Sequence, residues 1–223
     1  MMKVKNNIFE SPRGNDVMNE NTRADNSSSF IHQARRNQII DATIETLDEI
    51  GYVKASLAQI AKRANISTAL ISYHFANKHD LMDGLLATLV EKSTTYILNQ
   101  VDKENAPLKK LDMFIQASLE YQYKHPQQYT ALVEIVFHSR TADNTPYYKL
   151  NDDEEDPLLN VLQQILRSGQ AEGIFGDCHL EVLSNTIQGA IGEYMFNSSL
   201  TKKVPIDMYS AELIRIVHRV LLI

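Results

Sequence analysis

The sequence predicts an all-α protein: an N-terminal three-helix unit built around a helix-turn-helix, followed by a larger helical domain. Three observations carry that prediction. Residues 56–80, SLAQIAKRANISTALISYHFANKHD, divide into two short capped helices, a tight turn and the start of a third helix. From residue 81 to the C-terminus, apolar residues recur at helical spacing in each long segment. The breaks between those segments fall on proline, glycine or polar clusters, among them Pro107, Pro126, Pro157 and the turn 172–176.

Residues 1–30 are rich in Asn, Ser and Asp, with apolar side chains scattered singly. That composition reads as a disordered or loosely ordered extension. Its Lys3, Lys5, Arg13 and Arg23 are the charges a minor groove would attract, although a solvated tail accounts for them as simply. A first helix follows over about residues 31–50, capped by Ser28 or Ser29 and stopped by Gly51. Ile40, Thr43, Ile44, Leu47 and Ile50 form its inward stripe. Arg35 and Arg36 near its beginning oppose the helix dipole, a local cost that a nearby phosphate would offset. Two solvated surface arginines explain the same pattern.

The second helix opens at Ser56, with Gln59 three residues later in a capping-box pattern. Leu57, Ile60, Ala61 and Ala64 make its apolar face, and Asn65 tolerates the left-handed conformation that ends it sharply. Ile66 plugs the corner and Ser67 caps the third helix, which buries Leu70, Ile71 and Phe75. Thr68, Ala69, Ser72, Tyr73 and His74 remain on its outer side. Asn77 and Asp80 then open the fourth helix. Two helices at a steep angle, the second showing small polar and aromatic groups, form a DNA-reading unit. Thr68 and Ser72 suit base edges, the methyls of Thr68 and Ala69 suit a thymine methyl, and Tyr73, His74 and Lys78 suit phosphate oxygens. With no Arg, Asn or Gln on this helix, sequence reading would rest on few direct bonds plus DNA shape. Packing against the fourth helix is the alternative role for Tyr73 and His74.

Ser56, Ile60-Ala61, Ala64, Ile66-Ser67, Tyr73-His74-Phe75, Lys78 and Leu81 together resemble the DNA-binding domain of the TetR family of bacterial repressors. The resemblance covers residues 38–85 by specific motifs, and the remainder through helix count and length. Asn65 stands where the family mostly has glycine, and Ser72 where many members have a first tyrosine. The resemblance implies a homodimer that binds a palindromic double-stranded operator and is released by a small hydrophobic or cationic effector. It implies DNA contacts from Arg35, Arg36, Ser56, Ser67, Thr68, Ala69, Ser72, Tyr73, His74 and Lys78. The domains expected are 31–79 for the head and 80–223 for the regulatory body.

The fourth helix continues from Lys78 to about Val101, some 24 residues or about 36 Å, so head and body must share it. Pro107 starts the next helix, with Leu108, Leu111, Phe114, Ile115 and Leu119 inward, and Pro126 starts another, QYTALVEIVFHSR. A polar loop over residues 141–156 ends in the acidic run 152–156, which places negative charge before the helix at Pro157. Two last helices span about residues 180–198 and 205–222. Ile187, Gly189, Ala190 and Ile191 on one and Ile214, Val217 and Leu221 on the other read as half of a four-helix interface between two copies. Closure of the chain's own core is the competing assignment.

The family resemblance places an effector in the body, and Met113, Phe114, Tyr121, Tyr129, Phe137, Tyr194 and Met195 are the adaptable and aromatic candidates for its wall. Glu134, inside the apolar LVEIVF, would suit a cationic ligand if buried. Otherwise it sits on an exposed stripe with Gln127, Ala131 and His138.

Composition sets the outer bounds. At 223 residues the chain can form one or two domains, and its 43% hydrophobic share is ordinary. No membrane-spanning run or signal region is visible, and the single Cys178 excludes an internal disulfide framework, so a reducing cytoplasm is expected, which the family resemblance implies is bacterial. The net charge of −6 lies in residues 86–223, with 12 basic and 18 acidic residues, whereas residues 31–85 carry six of each. Arg35, Arg36, Lys62, Arg63 and Lys78 could still line one phosphate-facing edge. His125, His138 and His179 lack metal-ligand spacing and no phosphate-binding glycine loop appears, so no cofactor, metal or catalytic residue is expected and the chain is read as a non-enzyme. A helical adaptor that has lost DNA reading, or an enzyme on a helical scaffold, are the alternatives.

Overall fold

The computed structural model describes residues 20–150 and 156–222. Among these the chain forms ten α-helices and one short 3-10 turn: α1 (Glu20–Lys54), α2 (Leu57–Arg63), α3 (Thr68–His74), α4 (Lys78–Val101), α5 (Pro107–Lys124), α6 (Pro126–His138), a turn at Tyr147–Lys149, α7 (Pro157–Ala171), α8 (Leu180–Phe196), α9 (Ser198–Lys203) and α10 (Ile206–Leu221). The all-α expectation holds, with the elements at the predicted prolines and caps.

Two elements differ from expectation. Helix α1 begins at Glu20, ahead of the start expected near residue 31. No proline or glycine lies between Glu20 and Ile50, and the Asn and Ser residues there each lower helix propensity only by tenths of a kcal/mol, roughly. Lys3, Lys5 and Arg13 lie outside the described residues. The predicted stop is real in its dihedrals: Gly51 has φ 73° and ψ 167°, a region open essentially to glycine alone. The short α9 is the second difference, capped by the Asn197 side chain accepting from the Leu200 N–H.

The chain divides after Gln38 into two compact units. The second holds two apolar cores. The first joins Ile39, Ile44 and Leu47 of α1 to Ile60, Ile71, Phe75, Leu81, Leu85 and Leu89, and it takes in Ala131 and Ile135 of α6. Thr43 and Thr46 are buried among them without penalty, because each hydroxyl donates to the carbonyl four residues earlier, at 2.7 and 2.6 Å. On α4 this core runs as far as Leu89.

The second core begins on α4 at Ile97 and Val101, so α4 does run through both. Helix α5 is central to it, packing against α4, α7, α8 and α10. Gly169 of α7 lies directly under the Phe175 ring. A Cβ there would fall 1.9 Å from the ring, and both the Ile174 and Phe175 N–H groups bond to the Gly169 carbonyl. Gly169→Ala is expected to destabilise the fold by about 1–3 kcal/mol through overpacking, despite the helix propensity gained. A lowered melting temperature checks this, and an unchanged or raised one would refute the close contact.

Candidate DNA-reading surface and effector cavity

The helix-turn-helix is built by its caps. Ser56 accepts from the Gln59 N–H at 3.3 Å, while its hydroxyl donates to the Gln59 side chain at 2.8 Å. Asn65 adopts φ 54°, and the Ile66 N–H reaches back to the Ala61 carbonyl. Ser67 accepts from the Leu70 N–H at 3.1 Å, which starts α3. At the next junction Asn77 accepts from the Asp80 N–H and Asp80 accepts from the Ala76 N–H, so the two caps are reciprocal.

With Ile71 and Phe75 buried, α3 turns Thr68, Ala69, Ser72 and Tyr73 to solvent. The Tyr73 ring is 73% exposed and meets the half-buried His74 edge-on at 5.1 Å between centroids. The cations behave differently from expectation. Arg63 is paired with Glu45 and Glu49 of α1 and stays about a third exposed. Lys78 points its ammonium inward, donating to the Tyr52 carbonyl at 2.6 Å and standing 4.3 Å over the Tyr52 ring. Burial pushes its pKa below the ordinary lysine value. Arg35 and Arg36 lie in the first compact unit, where Arg35 donates to Gln38 at 2.7 Å.

Lys78 belongs to a clamp on the end of α1. The Glu134 carboxylate of α6 accepts from the Tyr52 N–H at 2.7 Å, His138 stacks on the Tyr52 ring, and His138 and Glu134 approach to 3.4 Å. Gln127 of α6 adds a bond to Asp48, and the Tyr147 hydroxyl donates to Asp83 of α4 at 2.7 Å. Burial, then the Asp83 hydrogen bond, holds the Tyr147 phenol well above its ordinary pKa. Glu134 is therefore directed at the Tyr52 backbone and does not line the cavity; its position among apolar residues does not reveal which face of α6 it occupies.

A cavity of about 450 Å³ lies among α4, α5, α6, α8 and the start of α7. Leu89, Leu132, Val136 and Ile191 give it an apolar wall. Of the predicted ligand residues, Tyr121 and Tyr129 line it. Tyr121 donates to Gln128 at 3.0 Å, and Tyr129 donates to the Gly192 carbonyl at 3.1 Å. Burial, then the Glu193 charge, pushes the Tyr129 phenol up to about 12. The other candidates sit elsewhere. Phe114 is in the second core, Met113 and Met195 pack against it, Tyr194 is buried with its hydroxyl on the Val204 carbonyl, and Phe137 is exposed and stacked on Tyr148. Sequence reasoning missed Thr94, Ser118 and Gln122 in the wall. Their signal was available: Ser118 and Gln122 continue the inward rows of α5 at helical spacing with polar groups in apolar places.

The proposed dimer residues are mostly engaged within the chain. Ile187, Ile191, Val217 and Leu221 are buried in the second core, and Ala190 and Ile214 pack on it. Gly189 is exposed, with open space where a Cβ would stand. The outer apolar rows are Val182 and Phe196 on α8, with Met208, Ile216 and Val220 on α10. One shift of register on each helix separates the inner rows from the outer ones.

Among the described residues, no group of three or more His, Cys, Asp or Glu side chains could hold a metal, and no helix is long and apolar enough to cross a membrane.

Residues 39–85 match the model of the tetR family of bacterial regulatory proteins. Among curated proteins, the HTH-type transcriptional regulator BetI of Escherichia coli strain K12 / DH10B is 28% identical over 130 residues, covering 57% of this chain and 66% of BetI. The matched stretch thus spans just under two thirds of that relative. Among solved structures, the fatty acid degradation regulator FadR of Bacillus halodurans superimposes with TM-score 0.70 at 20% identity, covering 82% of this chain and 93% of that one. FadR of Bacillus subtilis, solved in complex with stearoyl-CoA, gives TM-score 0.68 at 21% identity, with coverage of 81% and 96%. The ketosteroid transcriptional regulator KstR2 of Mycobacterium tuberculosis gives 0.67 at 19%, with 85% and 95%. These structures establish a shared fold, and the matched domain and relatives are those of transcriptional regulators. Residues 39–85 thus carry the DNA-binding domain of the tetR family of bacterial regulatory proteins, and the chain around it is similar to transcriptional regulators that share that domain.

Proposed function

We propose that the chain is a homodimeric repressor that acts in the cytoplasm, binds a palindromic operator and is released by a small effector. One observation carries this reading: α6 lines the cavity with Tyr129, Leu132 and Val136, and holds the end of α1 with Glu134. A ligand that displaces α6 must disturb the Tyr52 bond, and the operator-competent arrangement loses population to one that is not. By linkage, operator DNA weakens effector binding by the same factor. The chain works by binding and catalyses nothing.

Thr68, Ala69, Ser72 and Tyr73 face the groove in this reading, with Ser56, Ser67 and His74 at its edges and Lys78 contributing its backbone N–H at the start of α4. The effector occupies the cavity beside Tyr121 and Tyr129. Its body is apolar, as befits a wall of Leu, Ile and Val; the Bacillus subtilis FadR neighbour, with its stearoyl-CoA, is consistent with such a ligand. Two copies associate through the outer rows of α8 and α10.

Selection of random duplexes by the purified protein tests the whole reading. A palindrome is expected, with half-sites one helical turn, about 34–36 Å, or a multiple apart. No enrichment at either moderate or low salt would favour a helical adaptor, a reading that the engaged Arg63 and Lys78 support. The dimer has its own test. Ile216→Asp is expected to leave the fold intact and yield monomers in sedimentation, with operator affinity reduced about a hundredfold or more as avidity is lost. A dimer that persists would move the interface elsewhere.

A further inference from the structure

We infer that the cavity is built for an uncharged amphiphile, whose hydroxyl, carbonyl or amide end bonds to Thr94, Ser118 and Gln122 while its apolar body fills the rest. This rests on reading the cavity as the effector site. Three buried side-chain atoms lining it, Thr94 Oγ1, Ser118 Oγ and Gln122 Oε1, have no hydrogen-bond partner. Ser118 is only 5% exposed. A buried polar group without a partner is costly, and native folds keep few of them. Three around one cavity are therefore best explained as one half of a set of hydrogen bonds that a ligand completes.

Several other polar groups along the wall are already matched. Tyr121 donates to Gln128, Tyr129 donates to Gly192, and Asp156 accepts from the Leu158 and Leu159 N–H groups. The orphans thus form a distinct set, and their placement is coherent. Ser118 and Gln122 are one turn apart on one face of α5, close enough to address one functional group. Thr94 comes from α4, on another wall of the same cavity. Two hydroxyls and an amide supply both donors and acceptors, the complement of an alcohol, ketone or amide.

Charge narrows the class further. Among the described residues lining the cavity there is no lysine or arginine, and the one imidazole, His125, packs on Tyr121, so a carboxylate or phosphate held there would be buried without a permanent counter-ion. The carboxylate that a cationic ligand would want, Glu134, bonds to Tyr52 instead, and Asp156 caps α7. The volume, about 450 Å³, lies within the usual range for a small-molecule site.

Calorimetric titration of the full chain with decanamide, decanoate and decylammonium tests the class with the apolar body held constant. Decanamide is expected to bind at least about tenfold more tightly than either ion. In Ser118→Ala and Gln122→Leu, decanamide should lose about tenfold each and the preference over the ions should shrink. Ser118→Ala should also keep or raise the melting temperature, because it removes an unmatched group. A purely structural serine would lower it. Decanoate or decylammonium binding as well as decanamide, or variants that keep full decanamide affinity, would overturn the inference. The site reading fails separately: the neutral dye Nile red should bind wild type and be excluded by Leu132→Trp. If the dye binds the two alike, the cavity is not the effector site.

Discussion

Replacing Phe75 by alanine is expected to remove about 3–5 kcal/mol of stability and to abolish operator binding. Phe75 is 1% exposed and closes the first core at the end of α3, where its N–H bonds to the Ile71 carbonyl. Truncating it loses the transfer free energy of the ring and leaves a cavity that the fixed helices around it cannot collapse to fill. For a chain of this length, each kcal/mol lowers the melting temperature by about 2–4 °C, so a fall of roughly 6–20 °C is expected. The neighbouring Tyr73→Ala provides the contrast. That ring is 73% exposed, so stability should stay within about 0.5 kcal/mol while operator affinity falls. Thermal melts and fluorescence anisotropy with the selected duplex separate the two roles. A Tyr73→Ala protein that melts early but keeps its operator affinity would assign Tyr73 to packing.

Glu134→Ala should uncouple the cavity from the head. The carboxylate is the partner of the Tyr52 N–H across 82 positions of sequence, and it stands 3.2 Å from where a Cβ on Gly51 would be. It is partly exposed, so its loss is expected to cost about 1–2 kcal/mol, toward the lower end for a charge-assisted bond. Hydrogen exchange at the Tyr52 amide should quicken by roughly tenfold or somewhat more, in line with that cost. Operator release by any ligand should weaken in the same variant, while ligand affinity without DNA stays close to wild type. Glu134→Gln retains an acceptor for the Tyr52 N–H and should fall between the two. It should not change the preference between cationic and neutral ligands, because this side chain faces away from the cavity. Unchanged exchange at Tyr52 in Glu134→Ala would show that the clamp is held by Lys78 and His138 instead.

Local chemistry explains what was legible. Ser56, Ser67 and Asn77 act within three residues of themselves, so their caps could be read directly, as could the left-handed Asn65 and the break at Gly51. The prolines at 107, 126 and 157 each start a helix for the same reason: a residue without an N–H fits the first turn. The outer face of α3 followed from the spacing of Ile71 and Phe75. Helical periodicity is ambiguous by about one position, however, so the inner and outer apolar rows of α8 and α10 look alike in the sequence. Both rows are apolar, and only packing against α5 shows which one is covered.

The sequence by itself therefore determined an all-helical chain with a helix-turn-helix head, because capping, turn conformation and periodicity are contacts between near neighbours. Tertiary structure decided the rest: that Arg63 and Lys78 are tied to α1, that Glu134 grips Tyr52, and that Thr94, Ser118 and Gln122 face one cavity. Each of these depends on which faces of distant helices meet, and a side chain's identity does not contain that information.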